Sequence, residues 1–388
     1  MRVAIVHDYL TQRGGAERVA LALLRAFPNA RLLTSVYNPE GTFAEFRNYD
    51  VETLWLNRFR IFRRDPRLAL PLLPNAFSGA FVGGVDLVIC SSSGWSHGVL
   101  TDAPKLVYCH NPARWLYQTS DYLRSVPAAL RPAVRGLLPY LLRWDQAASR
   151  SVGQYVANST VVRDRVWRTY GRPADVVHPP IGVQCRSPSV AVPGIEPGFL
   201  LTVSRLRAYK NVRQVCEAVA TLPSERLVVV GGLPERARGS WPAHVVGLTD
   251  VPDEQMRWLY ANCAGLVAVG HEDFGLTPVE AYSFGKPAIV LRGGGYIDTS
   301  IDGLTGVFVE AATTEQMQTG IRRLRAATFD PCTLRDHAAR YTQQAFASAM
   351  YSEAARLLAL RAPARSLPST SLHSSVSGSR DDECAKLR

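Results

Sequence analysis

Short apolar runs alternate with amphipathic stretches along the first half of the chain. Four of these runs are bounded by polar residues or glycines and are predicted to be buried strands: 3–9, 85–90, 105–110 and 154–159. Residues 16–27 instead carry apolar side chains at helical spacing. Such alternation of strands and helices predicts a parallel sheet with helices on both faces.

The composition changes at residues 183–198, which are rich in Pro, Gly and Ser and are predicted to form an interdomain linker. A second alternation then begins, with predicted strands at 199–204, 226–232, 264–270 and 287–291. From residue 315 onward the pattern is helical. Two α/β halves joined by a linker leave a cleft between them, where ligands commonly bind.

These patterns predict an α/β fold class with two Rossmann-like, doubly wound parallel-sheet domains. We expect the first domain over 1–182 and the second over 199–340, followed by a helix at 341–361 that packs back on the first domain. The remaining residues, 362–388, are polar and rich in serine, so we expect them to be disordered.

The stretch HEDFGLTPVEAYSFGKP, residues 271–287, predicts a strand end, a loop and the start of a helix. Thr277, Pro278 and Glu280 fit a capping box. Thr277 would be the N-cap, Pro278 the first helical residue, and Glu280 the residue that reaches back to the cap amide.

Glu272, at the end of that strand, is the less ordinary feature of the stretch. Phe274 and Gly275 follow it, and a glycine there lets the backbone approach a ligand closely. Parallel sheets bind ligands at the carboxyl ends of their strands, and the free amides of the helix start would face an anion. A helix cap alone explains Glu280, but it does not explain Glu272.

The stretch SRLRAYKNV, residues 204–212, follows another predicted strand and carries Arg205 and Lys210. A guanidinium and an ammonium suit a diphosphate, since the first binds two oxygens and the second is a compact point charge. The alternative is a pair of solvated surface cations. Their position at a strand end, in the half that also holds Glu272, favours phosphate binding.

Two weaker signals lie in the first half. Gly14 and Gly15 separate the first strand from its helix, either as a simple tight turn or as a flexible loop that approaches an acceptor or a phosphate. His110 ends a strand, where an imidazole can hydrogen-bond a sugar hydroxyl or a phosphate oxygen and titrates near neutrality. A structural histidine is the ordinary alternative.

Composition narrows the classes of function. The formal net charge of +11 suits an anionic partner. The seven cysteines are scattered singly and the eight histidines are dispersed, so we expect no disulfide framework and no metal site. The N-terminus does not have the pattern of a signal peptide, and no apolar run reaches the roughly 18 residues that span a bilayer. We therefore expect a cytoplasmic protein.

Several segments together carry a resemblance to a known family: GGAE, HNP, SRL with KN, and HEDFGLTPVEAYSFGKPAIV followed by GGG and DGLTG. The chain resembles the family-four glycosyltransferases of the GT-B type, and the spacing of Glu272 and Glu280 matches their E-x7-E motif. The likeness extends from Met1 to about Leu360 and is closest to bacterial mannosyltransferases that build surface polysaccharides. Relatives usually carry a glutamate at the position of Asp298, so no role is assigned to it.

The resemblance implies a role for each charged candidate. Arg205 and Lys210 would hold the diphosphate of a nucleotide-sugar donor. Glu272 would contact hydroxyls of the transferred sugar, while Glu280 would hold the nucleotide ribose.

The uncharged candidates complete the implied site. His110 would lie beside the reacting centre, and Gly14 and Gly15 would form an amino-terminal loop that closes on the donor. The amides that assist at the phosphates and the sugar would be those of Phe274, Gly275, Leu276 and Thr277.

The resemblance further implies transfer that retains the anomeric configuration, by attack of the acceptor hydroxyl on the face that the diphosphate leaves. No cofactor is expected. The chain contains no DxD triplet to hold a divalent ion, so Arg205 and Lys210 would neutralise the leaving group. The closer likeness favours GDP-mannose as donor, with UDP-sugars and other GDP-sugars open. The acceptor would be a hydroxyl of a glycan or of a polyprenyl-linked sugar.

Two basic amphipathic segments, 56–77 and 130–144, predict a peripheral contact with the anionic inner face of the cell membrane. Ordinary core helices with basic outer faces are the alternative.

Two rival functions remain at this stage. One is a GT-B-like sugar phosphorylase or epimerase, which incubation of donor alone, with and without phosphate, would reveal. The other is a basic nucleic-acid-binding protein, but no basic stripe with interleaved aromatics is present, so we expect no nucleic-acid partner.

Overall fold

The computed structural model describes residues 1–118, 131–183, 185, 187–235 and 240–361. Two parallel β-sheets flanked by helices make up the fold. The strands of the first sheet are β1 (Val3–His7), β2 (Arg31–Thr34), β3 (Val51–Thr53), β4 (Leu87–Ser92), β5 (Lys105–Cys109), β6 (Gln154–Ala157) and β7 (Ala174–Val176). Those of the second are β8 (Leu200–Val203), β9 (Leu227–Val230), β10 (Val245–Leu248), β11 (Gly265–Ala268), β12 (Ala288–Leu291) and β13 (Gly306–Val309).

Helices connect the strands. The α-helices are α1 (Gly15–Ala26), α2 (Arg60–Arg64), α3 (Leu73–Ser78), α4 (Arg114–Tyr117), α5 (Arg131–Arg150), α6 (Thr160–Tyr170), α7 (Val212–Ala220), α8 (Asp253–Asn262), α9 (Leu276–Ser283), α10 (Tyr296–Thr299), α11 (Thr314–Ala326), α12 (Pro331–Ala338) and α13 (Gln343–Arg361). Short 3-10 turns occur at Ala44–Asn48, Trp55–Arg58, Pro66–Ala69, Ser96–Gly98, Ala208–Lys210 and Ala339–Tyr341.

Both sheets are doubly wound. The first has the strand order β3-β2-β1-β4-β5-β6-β7 and the second β10-β9-β8-β11-β12-β13, with every neighbouring pair parallel. The order reverses between β1 and β4 in the first sheet and between β8 and β11 in the second. Ligands of such sheets bind at these switch points, outside the carboxyl ends of the strands. The predicted α/β class with two doubly wound parallel sheets is confirmed.

All eight predicted strands are present, whereas β2, β3, β7, β10 and β13 were not predicted. These five strands are only three or four residues long. Length alone does not explain why they were not predicted, since the predicted β6, β8, β9, β11 and β12 also have four residues each.

The predicted strand at 85–90 begins two residues late, at Leu87. The carboxylate of Asp86 accepts a hydrogen bond from the backbone amide of Arg2 at 2.7 Å. This contact fixes the chain just before it enters the sheet, so Asp86 is a side-chain acceptor at the strand entrance rather than a strand residue.

The last helix, α13, packs against the first sheet. Phe346, Met350 and Leu357 of α13 are buried in the same apolar cluster as Ile5 of β1. On the neighbouring helix α1, the carbonyl of Ala22 accepts a hydrogen bond from the Gln343 side chain at 2.9 Å. The domain boundaries drawn from the sequence stay predictions, and the expected disordered tail at 362–388 lies outside the described residues.

The chain crosses between the two sheets twice. It leaves the first sheet after β7 and returns after α12, through the turn Ala339–Tyr341. At this place the backbone amide of Ile181 donates to the carbonyl of Tyr341 at 3.0 Å. The outgoing and returning segments therefore lie side by side. Within the described ranges, no helix has both the length and the apolar character needed to cross a membrane.

The start of α9 corrects the sequence analysis. The helix begins at Leu276, one residue before the predicted N-cap Thr277, and no side chain caps it. Gly275 is the N-cap and adopts φ 89°, in the left-handed region that favours glycine. A Cβ atom there would lie 2.5 Å from the ring of Tyr296. The capping box is therefore wrong, because the packing of Gly275 starts the helix earlier and Glu280 is engaged elsewhere.

Shortening a buried side chain of α13 tests whether this helix packs in the apolar core of the first sheet. Phe346→Ala should lower the free energy of unfolding by about 3–5 kcal/mol, since it removes a buried aromatic ring. Leu360→Ala on the same helix is the matched control, because Leu360 is 78% exposed. Urea unfolding of both variants measures the difference. Equal, small decreases in the free energy of unfolding would contradict the packing of α13 on the first sheet.

Substitution of Gly275 tests what fixes the start of α9. Gly303 also has a positive φ, but a Cβ there would meet open space. Gly303→Ala should cost about 1–2 kcal/mol for the backbone conformation alone. Gly275→Ala should cost clearly more, because the Tyr296 ring has to move. Chemical denaturation compares the free energies of unfolding of the two variants. A decrease for Gly275→Ala no greater than that for Gly303→Ala would refute a steric clash with the Tyr296 ring.

Candidate functional site

A cleft of about 1420 Å³ lies between the carboxyl ends of the two sheets. The loops after β1, β8 and β11 border it, together with the end of β5 and the first turn of α9. All eleven candidate residues from the sequence line this cleft: Gly14, Gly15, His110, Arg205, Lys210, Glu272, Phe274, Gly275, Leu276, Thr277 and Glu280. The two switch points thus face one common space.

Lys210 and Glu272 form an ion pair at the floor of the cleft. The ammonium nitrogen of Lys210 contacts Oε1 of Glu272, and both side chains are largely buried. The ammonium also lies over the ring of Tyr209, 5.1 Å from its centre. The two residues that the sequence assigned to diphosphate and sugar are therefore direct neighbours in the ligand-free protein.

Arg205 reaches across the cleft to the loop after β1. Its Nη1 donates to Oε1 of Gln12 at 2.8 Å, and Nε2 of Gln12 donates to Oε1 of Glu17 at 3.0 Å. Burial raises the pKa of Glu17 to about 7, opposed by its hydrogen bonds and by the charge of Arg205. Gln12 and Glu17 were missed by the sequence analysis, although Glu17 is the last letter of the GGAE segment.

The two glycines of this loop allow close approaches rather than unusual backbone angles. Gly14 is extended, with φ −126° and ψ 178°, and a Cβ there would lie 2.5 Å from Oε2 of Glu17. At Gly15 a Cβ would lie 3.5 Å from the Leu276 side chain. The start of α1 therefore lies directly against the first turn of α9 across the cleft.

Glu280 is buried on α9 and accepts a hydrogen bond from the hydroxyl of Tyr260 at 2.7 Å. Burial raises the pKa of Glu280, whereas the charge of Arg18 and the Tyr260 hydrogen bond lower it. Arg18 lies on α1, so the electrostatic partner of this acid comes from the opposite wall. Arg18 is a further residue that the sequence did not single out.

The first turn of α9 supplies unpaired backbone amides to the cleft. Leu276 and Thr277 are its first residues, and within the described ranges no side chain caps this end of the helix. Phe274, just before the turn, is buried and stacks on His178 with ring centres 5.3 Å apart. This stacking holds the loop that carries Glu272 in place.

His110 follows β5 and is 9% exposed. Its Nε2 lies 2.8 Å from the hydroxyl of Ser91, which in turn lies 3.0 Å from Nδ1 of His7. Burial lowers the pKa of His110 to about 3, with a smaller contribution from His7. The expectation that His110 titrates near neutrality is therefore wrong, because this imidazole is neutral throughout the physiological range.

Asp273 joins the two walls of the cleft. Its carboxylate accepts hydrogen bonds from Nδ2 of Asn111 at 3.2 Å, from Nη2 of Arg114 at 2.5 Å and from Nη1 of Arg165. Arg114 also lies over the ring of Tyr209, 5.3 Å from its centre. The donors come from the loop after β5, from α4 and from α6, and the acceptor comes from the loop after β11.

Asp298 makes a second contact between the two halves of the molecule. The sequence had assigned no role to this residue. Its carboxylate accepts the backbone amide of Thr160 at 2.6 Å and the Thr160 hydroxyl at 2.5 Å. Asp298 therefore binds the first turn of α6 from the opposite half of the molecule.

Neither a metal cluster nor a disulfide occurs among the described residues. No group of three His, Cys, Asp or Glu side chains there is arranged to hold an ion. Six cysteines are free thiols: Cys90, Cys109, Cys185, Cys216, Cys263 and Cys332.

Comparison with protein families matches most of the chain. Residues 13–184 match the model described as Glycosyltransferase Family 4, and residues 191–345 match the model described as Glycosyl transferases group 1. The two matches divide the chain near the segment that links the two sheets.

Individual proteins are similar over different lengths. The α-1,3/1,6-mannosyltransferase ALG2 of Mus musculus is 24% identical over 353 residues, 76% of this chain and 81% of ALG2. The D-inositol 3-phosphate glycosyltransferase of Mycolicibacterium gilvum is 28% identical over 193 residues, so this chain matches only 43% of that relative. The solved structure of Anabaena HepE in complex with UDP-glucose superposes with a TM-score of 0.65 at 16% identity, over 91% of this chain and 99% of HepE.

The fold, the cleft at the facing switch points and the two family matches lead to one assignment. The chain belongs to the family-four glycosyltransferases and is a glycosyltransferase with the GT-B fold.

Proposed function

We propose that the chain transfers a hexose, mannose in the first instance, from a nucleoside diphosphate sugar to a hydroxyl group with retention of configuration. The observation that carries the proposal is the convergence on one cleft of two cations, two acids and the free amides of a helix start. Arg205, Lys210 and the amides would bind the diphosphate. Glu272 would bind the sugar hydroxyls, and Glu280 the ribose.

The ion pair of Lys210 and Glu272 suits this division of roles. The ammonium has three donor hydrogens, so it can keep its contact with Glu272 while it binds a phosphate oxygen. The second oxygen of Glu272 is left to accept a sugar hydroxyl. Sugar and diphosphate would then be held by adjacent members of one pair, which fixes the reacting carbon relative to its leaving group.

Retention follows most directly from front-face attack. The bond between the anomeric carbon and the diphosphate breaks, the acceptor oxygen bonds to the same face, and the acceptor proton passes to a departing phosphate oxygen. A carboxylate nucleophile is the alternative route to retention. Asp273 is already engaged by three donor side chains and Glu280 by Tyr260, so neither is free for that role.

The leaving diphosphate needs positive charge as its bond breaks. Arg205 and Lys210 would supply it, together with the amides of Leu276 and Thr277. We therefore propose that transfer needs neither a divalent metal nor a cofactor, so that activity should survive chelation with EDTA.

Mannose is favoured by the name of the similar ALG2 proteins, whereas the similar HepE was solved with UDP-glucose. We propose GDP-mannose as donor and a glycan or polyprenyl-linked sugar as acceptor. Calorimetric titration with GDP, UDP, ADP and the corresponding sugars identifies the base and the sugar. Donor incubated alone, with and without phosphate, would yield a sugar phosphate or an epimer only if the rival functions applied.

Removal of the Lys210 ammonium tests the diphosphate site. Lys210→Ala should lower kcat/KM for transfer at least about 100-fold, as expected when a preorganised charge at the leaving group is lost. Its circular dichroism spectrum and unfolding transition should remain those of a folded protein. Lys286→Ala, outside the cleft, is the matched control. Near-normal turnover in the Lys210 variant would overturn the assignment.

We also propose a contact with an anionic membrane, through a surface on the first half of the molecule. This basic–aromatic surface is exposed and consists of Trp55, Arg58, Phe59, Arg60, Ile61, Arg64 and Leu68. Arginine guanidinium groups attract acidic headgroups, while the apolar side chains can enter the interface. The later part of the predicted segment, including Leu73 and Phe77, is buried and belongs to the core.

Flotation with vesicles tests this surface. The protein should float with vesicles that contain phosphatidylglycerol and not with phosphatidylcholine alone, and high salt should release it. The triple variant Arg58→Gln, Arg60→Gln, Arg64→Gln should lose binding, at about 1 kcal/mol per arginine. The matched control changes three exposed arginines elsewhere: Arg168, Arg322 and Arg335. Equal flotation of both triple variants would refute the proposal that the basic–aromatic surface binds the membrane.

A further inference from the structure

The first turn of α1 faces the first turn of α9 across the cleft. A Cβ atom at Gly15 would lie 3.5 Å from the Leu276 side chain, so the two helix starts are in contact. Arg18 is three residues after Gly15, and Glu280 is four residues after Leu276. Residues at these spacings share one face of a helix, and helical side chains lean back towards the N-terminus. Arg18 and Glu280 therefore point towards the same part of the cleft, which both of them line.

Two contacts hold the guanidinium of Arg18 in place. Its Cζ atom lies 4.8 Å from the centre of the Phe43 ring. An added Cβ at Gly182 would lie 2.7 Å from the same Cζ, so the guanidinium also packs against the backbone of the segment that links the two sheets. Among the residues that the structure describes, Arg18 has neither an ion-pair partner nor a side-chain hydrogen bond. Its N–H donors are therefore left for a ligand.

The chemistry of Arg18 and Glu280 together suits a hydroxyl group. Glu280 is buried and accepts a hydrogen bond from the Tyr260 hydroxyl at 2.7 Å. Burial raises the pKa of Glu280 and that of Tyr260, and the charge of Arg18 opposes the shift at both groups. A guanidinium only donates hydrogen bonds and a carboxylate only accepts them. A sugar hydroxyl can do both, so it fits between them, whereas a phosphate oxygen would be repelled by the carboxylate.

We propose that Arg18 is a donor-binding residue of the first half, whose guanidinium donates a hydrogen bond to the ribose that Glu280 also binds. This inference rests on the proposed function, in which Glu280 accepts from the ribose hydroxyls. Because Arg18 and Glu280 belong to opposite halves of the molecule, the ribose is then bound from both walls of the cleft. A nucleotide without its 2′ and 3′ hydroxyls loses both contacts.

Calorimetric titration of the full-length protein compares a nucleotide with its parts. In Arg18→Ala the Kd of GDP should rise about tenfold, the effect of losing one hydrogen bond to a charged group, while the Kd of inorganic pyrophosphate should not change. 2′,3′-Dideoxy-GDP should bind the wild type and Arg18→Ala equally. UDP or ADP replaces GDP if the wild type binds it more tightly. An unchanged Kd of the nucleotide, or an equal weakening of pyrophosphate, would overturn the proposal.

Gly182→Ala displaces the same guanidinium without removing it. Gly182 does not have a positive φ, and the three atoms nearest to an added Cβ all belong to Arg18. The Kd of GDP should therefore rise as it does in Arg18→Ala, and combining the two changes should have no further effect. Gly136→Ala is the matched control, because nothing lies within 4 Å of an added Cβ there. An unchanged Kd of GDP in Gly182→Ala would contradict the role of this guanidinium.

Steady-state kinetics separate ribose binding from a role in the chemical step. The ribose is bound alike before and during transfer, so Arg18→Ala should raise KM for the donor about tenfold and leave kcat nearly unchanged. A fall in kcat at unchanged KM would refute the proposal. If the wild type binds none of GDP, UDP and ADP, the proposed function fails and this inference with it. Nucleotide binding that is insensitive to Arg18→Ala refutes this inference alone.

Discussion

The carboxylate of Asp273 fixes the geometry on which the cleft depends. It is engaged by Asn111, Arg114 and Arg165, all from the first half of the molecule. Charge-assisted hydrogen bonds of this kind are strong and directional, and loss of one partner leaves a partly buried charge uncompensated. Since Asp273 directly follows Glu272, the contact that joins the two walls also sets the position of the acid proposed to bind the sugar.

Features of the site that depend on the sheet were predictable from the sequence. The ends of β8 and β11 were recognisable because a buried apolar run was followed at once by charged residues and glycine. Parallel topology then brings Arg205, Lys210 and Glu272 to the same edge, since the carboxyl ends of parallel strands share one side. The E-x7-E spacing added the identity of the second acid.

Features that depend on tertiary packing were not predictable. The start of α9 is set by the fit of Gly275 against the Tyr296 ring, and no local pattern encodes that contact. The low pKa of His110 results from its burial, with a smaller contribution from His7 of β1. The partners of Asp273 are between 108 and 162 residues away along the chain. Each of these properties arises only after distant segments have met.

The ligand-free site is already well ordered by its own contacts. Lys210 is held by Glu272, and Arg205 by Gln12. Long basic side chains lose conformational entropy when they bind an anion. Because Lys210 and Arg205 are already held by protein partners, part of this entropy has been lost before a ligand binds. A neutral amide such as Gln12 is also a weaker partner than a phosphate, so its replacement favours the bound state.

The paired crossings near Ile181 and Tyr341 have a mechanical consequence. With a single connection, one half could rotate freely against the other. Two adjacent crossing segments that are joined by a hydrogen bond instead define a hinge axis. Opening then becomes a rotation about that axis. In such a rotation displacement would grow with distance from the axis, so the rim of the cleft farthest from the crossings would move most.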